Sequence, residues 1–337
     1  MNLIDSVVQN HTPFVVRNRT SGEVTTLNNT ADCAALVARC PVRYVLTDDL
    51  TRLCADLAYS KGARTVACAD LLHVPAETLW VEWCNEPWKN ALQRYGFRLI
   101  PAGPQWVGRR GAWVRSSQDG RRGLMRTFWS APGDDVLASS VEAFFDLDTA
   151  AGEEPESLDR KEGFAGRVYD NERSDDDILG RCFRFRFEQS WSEYYGSAGL
   201  SSEQSLALWR HAVGAIAMDI PMLLTFFLLL ATRNGLPQSA QSLEQLNRRR
   251  RQCGKAPLLD HIEVRAPVLP EYRDCLRGEP RTTRLSPRLH HVRGHLVRRG
   301  SQIFWRVPHL RGSARSGVVS TRTVTWTFAR DVAGRTH

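Results

Sequence analysis

The chain has 337 residues, 42% hydrophobic and 24% charged, with a net charge of +8. That length holds two domains or three small ones, and the composition is that of a soluble globular protein. None of the eight cysteines forms a CxxC pair or sits at zinc-finger spacing, which excludes a zinc ribbon and reads as reduced thiols in a cytosolic protein. The opening Met1-Asn2-Leu3-Ile4-Asp5 turns acidic at once, unlike a secretory signal. No GxGxxG, Walker or HExxH motif occurs, so nucleotide-cofactor and zinc-peptidase chemistry have no support and no cofactor is expected.

In chain order, Phe14–Arg17 and Glu23–Leu27 read as two strands across a loop of turn formers. Apolar residues at helical spacing follow at Cys33, Leu36 and Val37 and again from Leu50 to Tyr59, with Asp32 and Asp49 as expected caps. Thr65–Cys68, Leu79–Trp83 and Phe97–Ile100 are strand-like. Trp80, Trp83, Trp88 and Trp106 are expected in a core rather than as base-stacking platforms. Ala143-Phe144-Phe145 and Leu147 close this first α+β module. Residues 134–177 carry 15 acids against four basic groups, and Thr149–Gly163 lacks apolar periodicity, so an acidic linker is expected over 149–177. The resulting division is 1–148, 149–177 and 178–337.

Phe183, Phe185 and Phe187 alternate with Arg184 and Arg186, the period of a half-buried strand. Ala212–Ala231 is long and apolar enough to cross a bilayer, yet it contains Asp219 and Pro221. Two consecutive buried helices, with Asp219 capping the second and Pro221 in its first turn, fit better, and no membrane partner is expected. Ser242 and Gln245 have capping-box spacing for a helix from Leu243 to about Cys253, stopped by Gly254 and Pro257. That helix carries Arg248, Arg249, Arg250 and Arg251, with Lys255 following. Strands are then expected at His261–Val268, Leu289–Arg299, Gln302–Val307 and Val318–Phe328, the second and third joined by an Arg299-Gly300-Ser301 turn. The whole is an α+β protein: a mixed amino-terminal module, a helix pair and a carboxy-terminal antiparallel sheet.

The carboxy-terminal segment 281–337 holds 12 arginines, no lysine and a single acid, Asp331. Arginine makes bidentate contacts to phosphate. On one continuous strand, His291, Arg293 and His295 would share a face, with Val292 and Leu296 turned to the core. Two imidazoles and a guanidinium can supply base, acid and phosphorane stabilisation for metal-free RNA cleavage. Arg298, Arg299, Arg306 and Arg311 extend the basic surface, Arg306 and Arg322 on the same face, with Ile303, Trp305 and Val307 opposite. His309 and Arg311 are placed in a phosphate-holding loop.

The order of two buried helices, a short basic helix and four strands resembles barnase- and RelE-like ribonucleases over about Ser202–Phe328. That resemblance implies a metal-independent endoribonuclease with His291 and His295 as acid and base and Arg293 on the phosphate. The blocks Leu79–Trp83, Asn247–Leu258 and Arg293-Gly294-His295 with Arg311-Gly312 resemble uncharacterised phage and prophage proteins, which implies a cytosolic setting in a bacterium or virus. Three functions stay open: a nucleic-acid-binding protein of a mobile element, regulatory or counter-defence in role; an endoribonuclease; and an interaction module docking an acidic partner such as residues 134–177.

Overall fold

A computed structural model describes residues 2–9, 14–17, 24–27, 29–59, 70–96, 108–130, 136–148, 182–188, 191–192, 194–195, 201–232, 235–267, 288–292, 295–306, 309–311 and 313–318. In chain order the elements are α1 (Leu3–Gln9), β1 (Phe14–Arg17), β2 (Val24–Leu27), α2 (Asn29–Ala38), β3 (Val42–Leu46), α3 (Asp48–Tyr59), β4 (Thr78–Cys84), α4 (Asn85–Arg94), β5 (Arg109–Ser116), β6 (Arg122–Ser130), β7 (Val136–Ala138), β8 (Val141–Asp146), β9 (Phe183–Phe187), α5 (Ser202–Ala217), α6 (Ile220–Leu230), β10 (Gln238–Gln241), α7 (Glu244–Gln252), β11 (His261–Val264), β12 (Arg288–Val292), β13 (His295–Arg299), β14 (Gln302–Arg306), β15 (His309–Arg311) and β16 (Ser313–Val318). The protein is α+β. One unit spans residues 1–267 and 296–305, and a second spans 268–295 and 306–337.

The first unit is built on a nine-stranded mixed sheet of order β10-β11-β3-β4-β5-β6-β8-β9, with β7 also on β6. The β11–β3 and β3–β4 pairs are parallel, and all the other pairs are antiparallel. At its centre is the β5–β6 hairpin, which lies outside the elements expected from the sequence. The turn at Ser117–Gly120 closes it, with Ser117 N–H donating to Arg122 O at 2.8 Å and Gly120 at φ +71°. The Asp119-Gly120 pair is the turn signal that could have found it.

Register sorts the sheet's two faces. Leu79, Val81, Trp83, Ala112 and Val114 are all buried, and their face meets α3 to α6. Tyr44 lies edge-on to Phe226 of α6 at 5.5 Å, and Trp209 of α5 edge-on to Phe187 at 4.8 Å. On the opposite face Trp80, Trp113 and Phe128 pack with Leu3, Ile4 and Val7 of α1 and Cys33 and Val37 of α2. Gly111 shares that face, and a Cβ there would overlap the Trp80 indole carbons. Gly111→Ala is therefore expected to cost about 1–3 kcal/mol by overpacking, read as a lower urea midpoint at unchanged m-value.

The helix pair falls where the sequence put it, with Pro221 in the first turn of α6 and Asp219 at its N-cap position. Asp219 makes no capping bond there. Its Oδ2 instead accepts from Arg110 Nη2 at 2.7 Å, both side chains buried, and Arg110 also donates to Ala215 O at 3.2 Å. The guanidinium stacks 4.5 Å from the Trp88 ring. This pair ties β5 to the bend between α5 and α6. The two helices are apolar enough to cross a membrane by composition, and 78% of their most apolar window is buried inside the protein.

Other expected caps move. Thr47 O accepts from Thr51 N–H at 2.9 Å, so α3 begins before Asp49, and Asp32 likewise lies inside α2. At α5 a full capping box joins Ser201 and Gln204, with bonds of 3.2 and 3.0 Å. α7 starts one residue late for the expected box: Leu243 N–H donates to Asp260 Oδ1 at 2.7 Å, so a distant carboxylate takes the place of Ser242.

The expected domain division does not match the sheet. β9 pairs with β8, and β11 pairs in parallel with β3, so residues after the acidic stretch complete the sheet begun before it. The period-two phenylalanines explain this: Phe183 and Phe185 are buried, and Phe183 stacks on Phe145 of β8 at 6.0 Å. A polar composition marked a connection within one domain, not a boundary between two. Residues 149–177 and the strands expected at 65–68 and 97–100 lie outside the described residues, as does all of the strand expected at Val318–Phe328 except Val318, which ends β16.

The second unit holds a three-stranded sheet of order β15-β12-β16. The expected single strand Leu289–Arg299 is two strands: β12 sits in this sheet, whereas β13 pairs with β14 in a separate two-stranded hairpin. Gly300, at φ +59°, makes the turn expected at Arg299-Gly300-Ser301.

Candidate nucleic-acid interface

α7 gathers the densest set of cations among the described residues. Arg248, Arg249, Arg251 and Lys255 are exposed, while Asn247 is buried. Asn247 is the reason the helix holds this orientation. Its Nδ2 donates to Leu258 O at 2.8 Å and its Oδ1 accepts from Leu258 N–H at 2.7 Å, so one amide satisfies both backbone groups of a residue 11 positions on. The C-terminus closes in a Schellman motif: Gly254 takes φ +65°, Lys255 N–H donates to Arg250 O at 2.9 Å and Gly254 N–H to Arg251 O at 3.0 Å. Arg250 folds back, its Nε donating to Ala256 O at 2.8 Å. Arg248 lies 3.6 Å from Glu244, an exposed i,i+4 pair of little energetic weight.

The loop after α7 is fastened to α1. Asp5 Oδ1 accepts from Leu259 N–H at 2.8 Å, and Gln9 Nε2 donates to Pro257 O at 3.2 Å. Burial raises the Asp5 carboxyl above its ordinary value, the Leu259 N–H pulling it back and the neighbouring Glu82 charge adding to the rise. Asn247→Ala would leave the Leu258 amide without its partner, an expected cost of about 1–3 kcal/mol, read as faster hydrogen exchange over 243–258.

The other expected site residues are distributed differently. Arg298 forms a bidentate pair with Asp70, at 2.8 and 2.6 Å, so its charge is already balanced within the first unit. Arg299 lies 5.9 Å over the Phe304 ring. Along β14, Ile303 and Trp305 are buried and Gln302 and Arg306 exposed, the alternation expected. Arg311 is exposed at the end of β15, a strand where a loop was expected with His309.

The proposed catalytic group does not share one strand. His291 lies in β12, opposite Leu310 of β15. His295 begins β13 and is exposed. Arg293, between them, lies outside the described residues, as do Val307 and Arg322. A period-two pattern puts these three residues on one face only within a single strand, and β12 and β13 belong to different sheets. Nothing in the sequence singled out Asn247 or Asp260, because their partners are 11 and 17 residues away. The chain matches no protein-family model, no curated protein and no solved structure.

Proposed function

We propose that the protein binds nucleic acid through the phosphate backbone, with α7 and Lys255 as the principal contact. The observation that carries this reading is the outward set Arg248, Arg249, Arg251 and Lys255 on a helix fixed at both ends by hydrogen bonds. Guanidinium groups held this way lose less freedom when they bind phosphate than groups on an open chain. Arg306 and Arg311 are further exposed cations. The resemblance of Asn247–Leu258 to phage and prophage sequences supports a mobile-element setting, regulatory or counter-defence in role.

The test is a salt titration with labelled RNA and duplex DNA. Four phosphate contacts give an expected slope of about −3 to −4 in log K against log salt. Replacing Arg248, Arg249, Arg251 and Lys255 together by glutamine is expected to remove most of that slope. A variant that keeps wild-type affinity and slope would overturn the assignment to α7. For the endoribonuclease reading, His291 lies in β12 and His295 in β13. The same RNA read for cleavage in the presence of chelator, with His291→Ala and His295→Ala beside the wild type, tests what remains of it.

A further inference from the structure

Arg126 of β6 is 5% exposed, on the sheet face covered by α2. Its Nη1 donates to Cys33 Sγ at 3.1 Å, and its Nη2 lies 3.9 Å from Glu188 Oε2. Its Nε and Nη2 have no hydrogen-bond acceptor among the described residues. Its guanidinium brings a positive charge into this interior. The Glu188 carboxylate gives this charge one anionic partner beyond hydrogen-bonding distance, and the Cys33 sulfur lies within it.

The contrast within the chain is informative. Cys54 is fully buried, and burial pushes its thiol far up. Burial pushes Cys40 up to about 11, with Arg43 only partly offsetting it. Cys33 is equally buried, at 3% exposure, but it has a guanidinium in direct contact.

We infer that Cys33 is a thiolate paired with Arg126 and a site of two-electron oxidation by hydrogen peroxide. The sulfur attacks one peroxide oxygen, and the S–O bond forms as the O–O bond breaks. Sulfur gives up two electrons. The departing hydroxide takes a proton from water or buffer, and Cys33 becomes a sulfenic acid. The guanidinium that holds the sulfur also carries the two unaccepted N–H sites, so the new oxygen finds donors beside it. Peroxide is small and neutral, and the Glu188 side chain next to Arg126 is 19% exposed.

The experiment uses the full chain, freed of reductant and treated with hydrogen peroxide. Catalase stops the reaction, the protein is denatured in dimedone, and each cysteine is quantified by peptide mass spectrometry. Cys33 is expected to gain the adduct at least ~10-fold faster than Cys40 and Cys54, the margin a stabilised thiolate gives over a desolvated thiol. Exposed Cys253 controls for active reagent. Cys33 reacting no faster than Cys54 while Cys253 reacts would overturn the proposal, and this comparison needs no variant to fold. Arg126→Gln is expected to bring Cys33 down to the rate of Cys54, with Arg126→Lys recovering part of the difference. An undiminished rate in a folded Arg126→Gln protein would remove Arg126 from the assignment. Thiolate ultraviolet absorbance of the native wild type, compared with Cys33→Ser, is expected to differ by one thiolate.

Discussion

Arg110→Met is expected to destabilise the first unit by about 3–5 kcal/mol, the cost of leaving one partner of a buried ion pair uncompensated. Asp219 is wholly buried, and its Oδ2 accepts a hydrogen bond from Arg110 Nη2 at 2.7 Å. Methionine would keep contact with the Trp88 ring but leave the carboxylate among hydrocarbon. The same variant with Asp219→Leu is expected to recover most of the loss, because two apolar groups of similar volume need no partner. Urea unfolding of the two singles and the double would show it. A double variant no more stable than Arg110→Met would assign the loss to the guanidinium's stacking instead.

The pair also carries a pH signature. Burial pushes the Asp219 carboxyl up to about 6, with Arg110 pulling it back. The folded value lies above the ordinary value of 3.8, so folding favours the protonated form. That contribution is complete below about pH 4 and lost as pH rises through about 6. Wild type is therefore expected to lose stability relative to Asp219→Asn across this window. A stability difference flat between these limits would show that Asp219 does not titrate there.

Glu82→Gln is expected to cost about 2–4 kcal/mol and to loosen α1 before anything else. Glu82 is 0% exposed at the middle of β4, and its carboxylate is fully used. Oε1 accepts from Leu3 N–H at 2.7 Å, Oε2 from Ile4 N–H at 3.0 Å and from Trp80 Nε1 at 3.3 Å, and Arg109 Nε completes the set. An amide would present its NH₂ to some of these donors. Arg109 is 29% exposed, so water softens the loss there and holds the figure below that for Arg110. Hydrogen exchange at Leu3 and Ile4 is expected to accelerate most. Because α1 also holds the loop after α7 through Asp5 and Gln9, nucleic-acid affinity is expected to fall while the salt slope is kept. A lowered slope would mean that phosphate contacts, not the placement of α7, had been lost.

Much of the local structure was legible in the sequence because it depends on near neighbours. Phe14–Arg17, Leu79–Trp83, the phenylalanine alternation of β9, the break at Asp219-Pro221 and the stop at Gly254 all follow from periodicity and backbone preference. The capping residues were harder to read. Ser242 has the right spacing, yet Asp260 wins the α7 terminus because folding brings its carboxylate there. The candidate interface was legible as a run of arginines, but which of them face outward was not. That depends on Asn247 clasping Leu258 and on Arg250 turning back to Ala256.

By itself the sequence determined the α+β class, the helix pair and the uneven charge, since residue preference and apolar period act over a few positions. Only the tertiary structure decided that residues on both sides of the acidic stretch share one sheet, since strand pairing joins positions as distant as Tyr44 and Ile262. It alone put His291 and His295 in strands of different sheets, because strand partners are chosen by the fold. It alone put Arg126 against Cys33 and Arg110 against Asp219, because packing joins side chains far apart in the chain and takes them out of water.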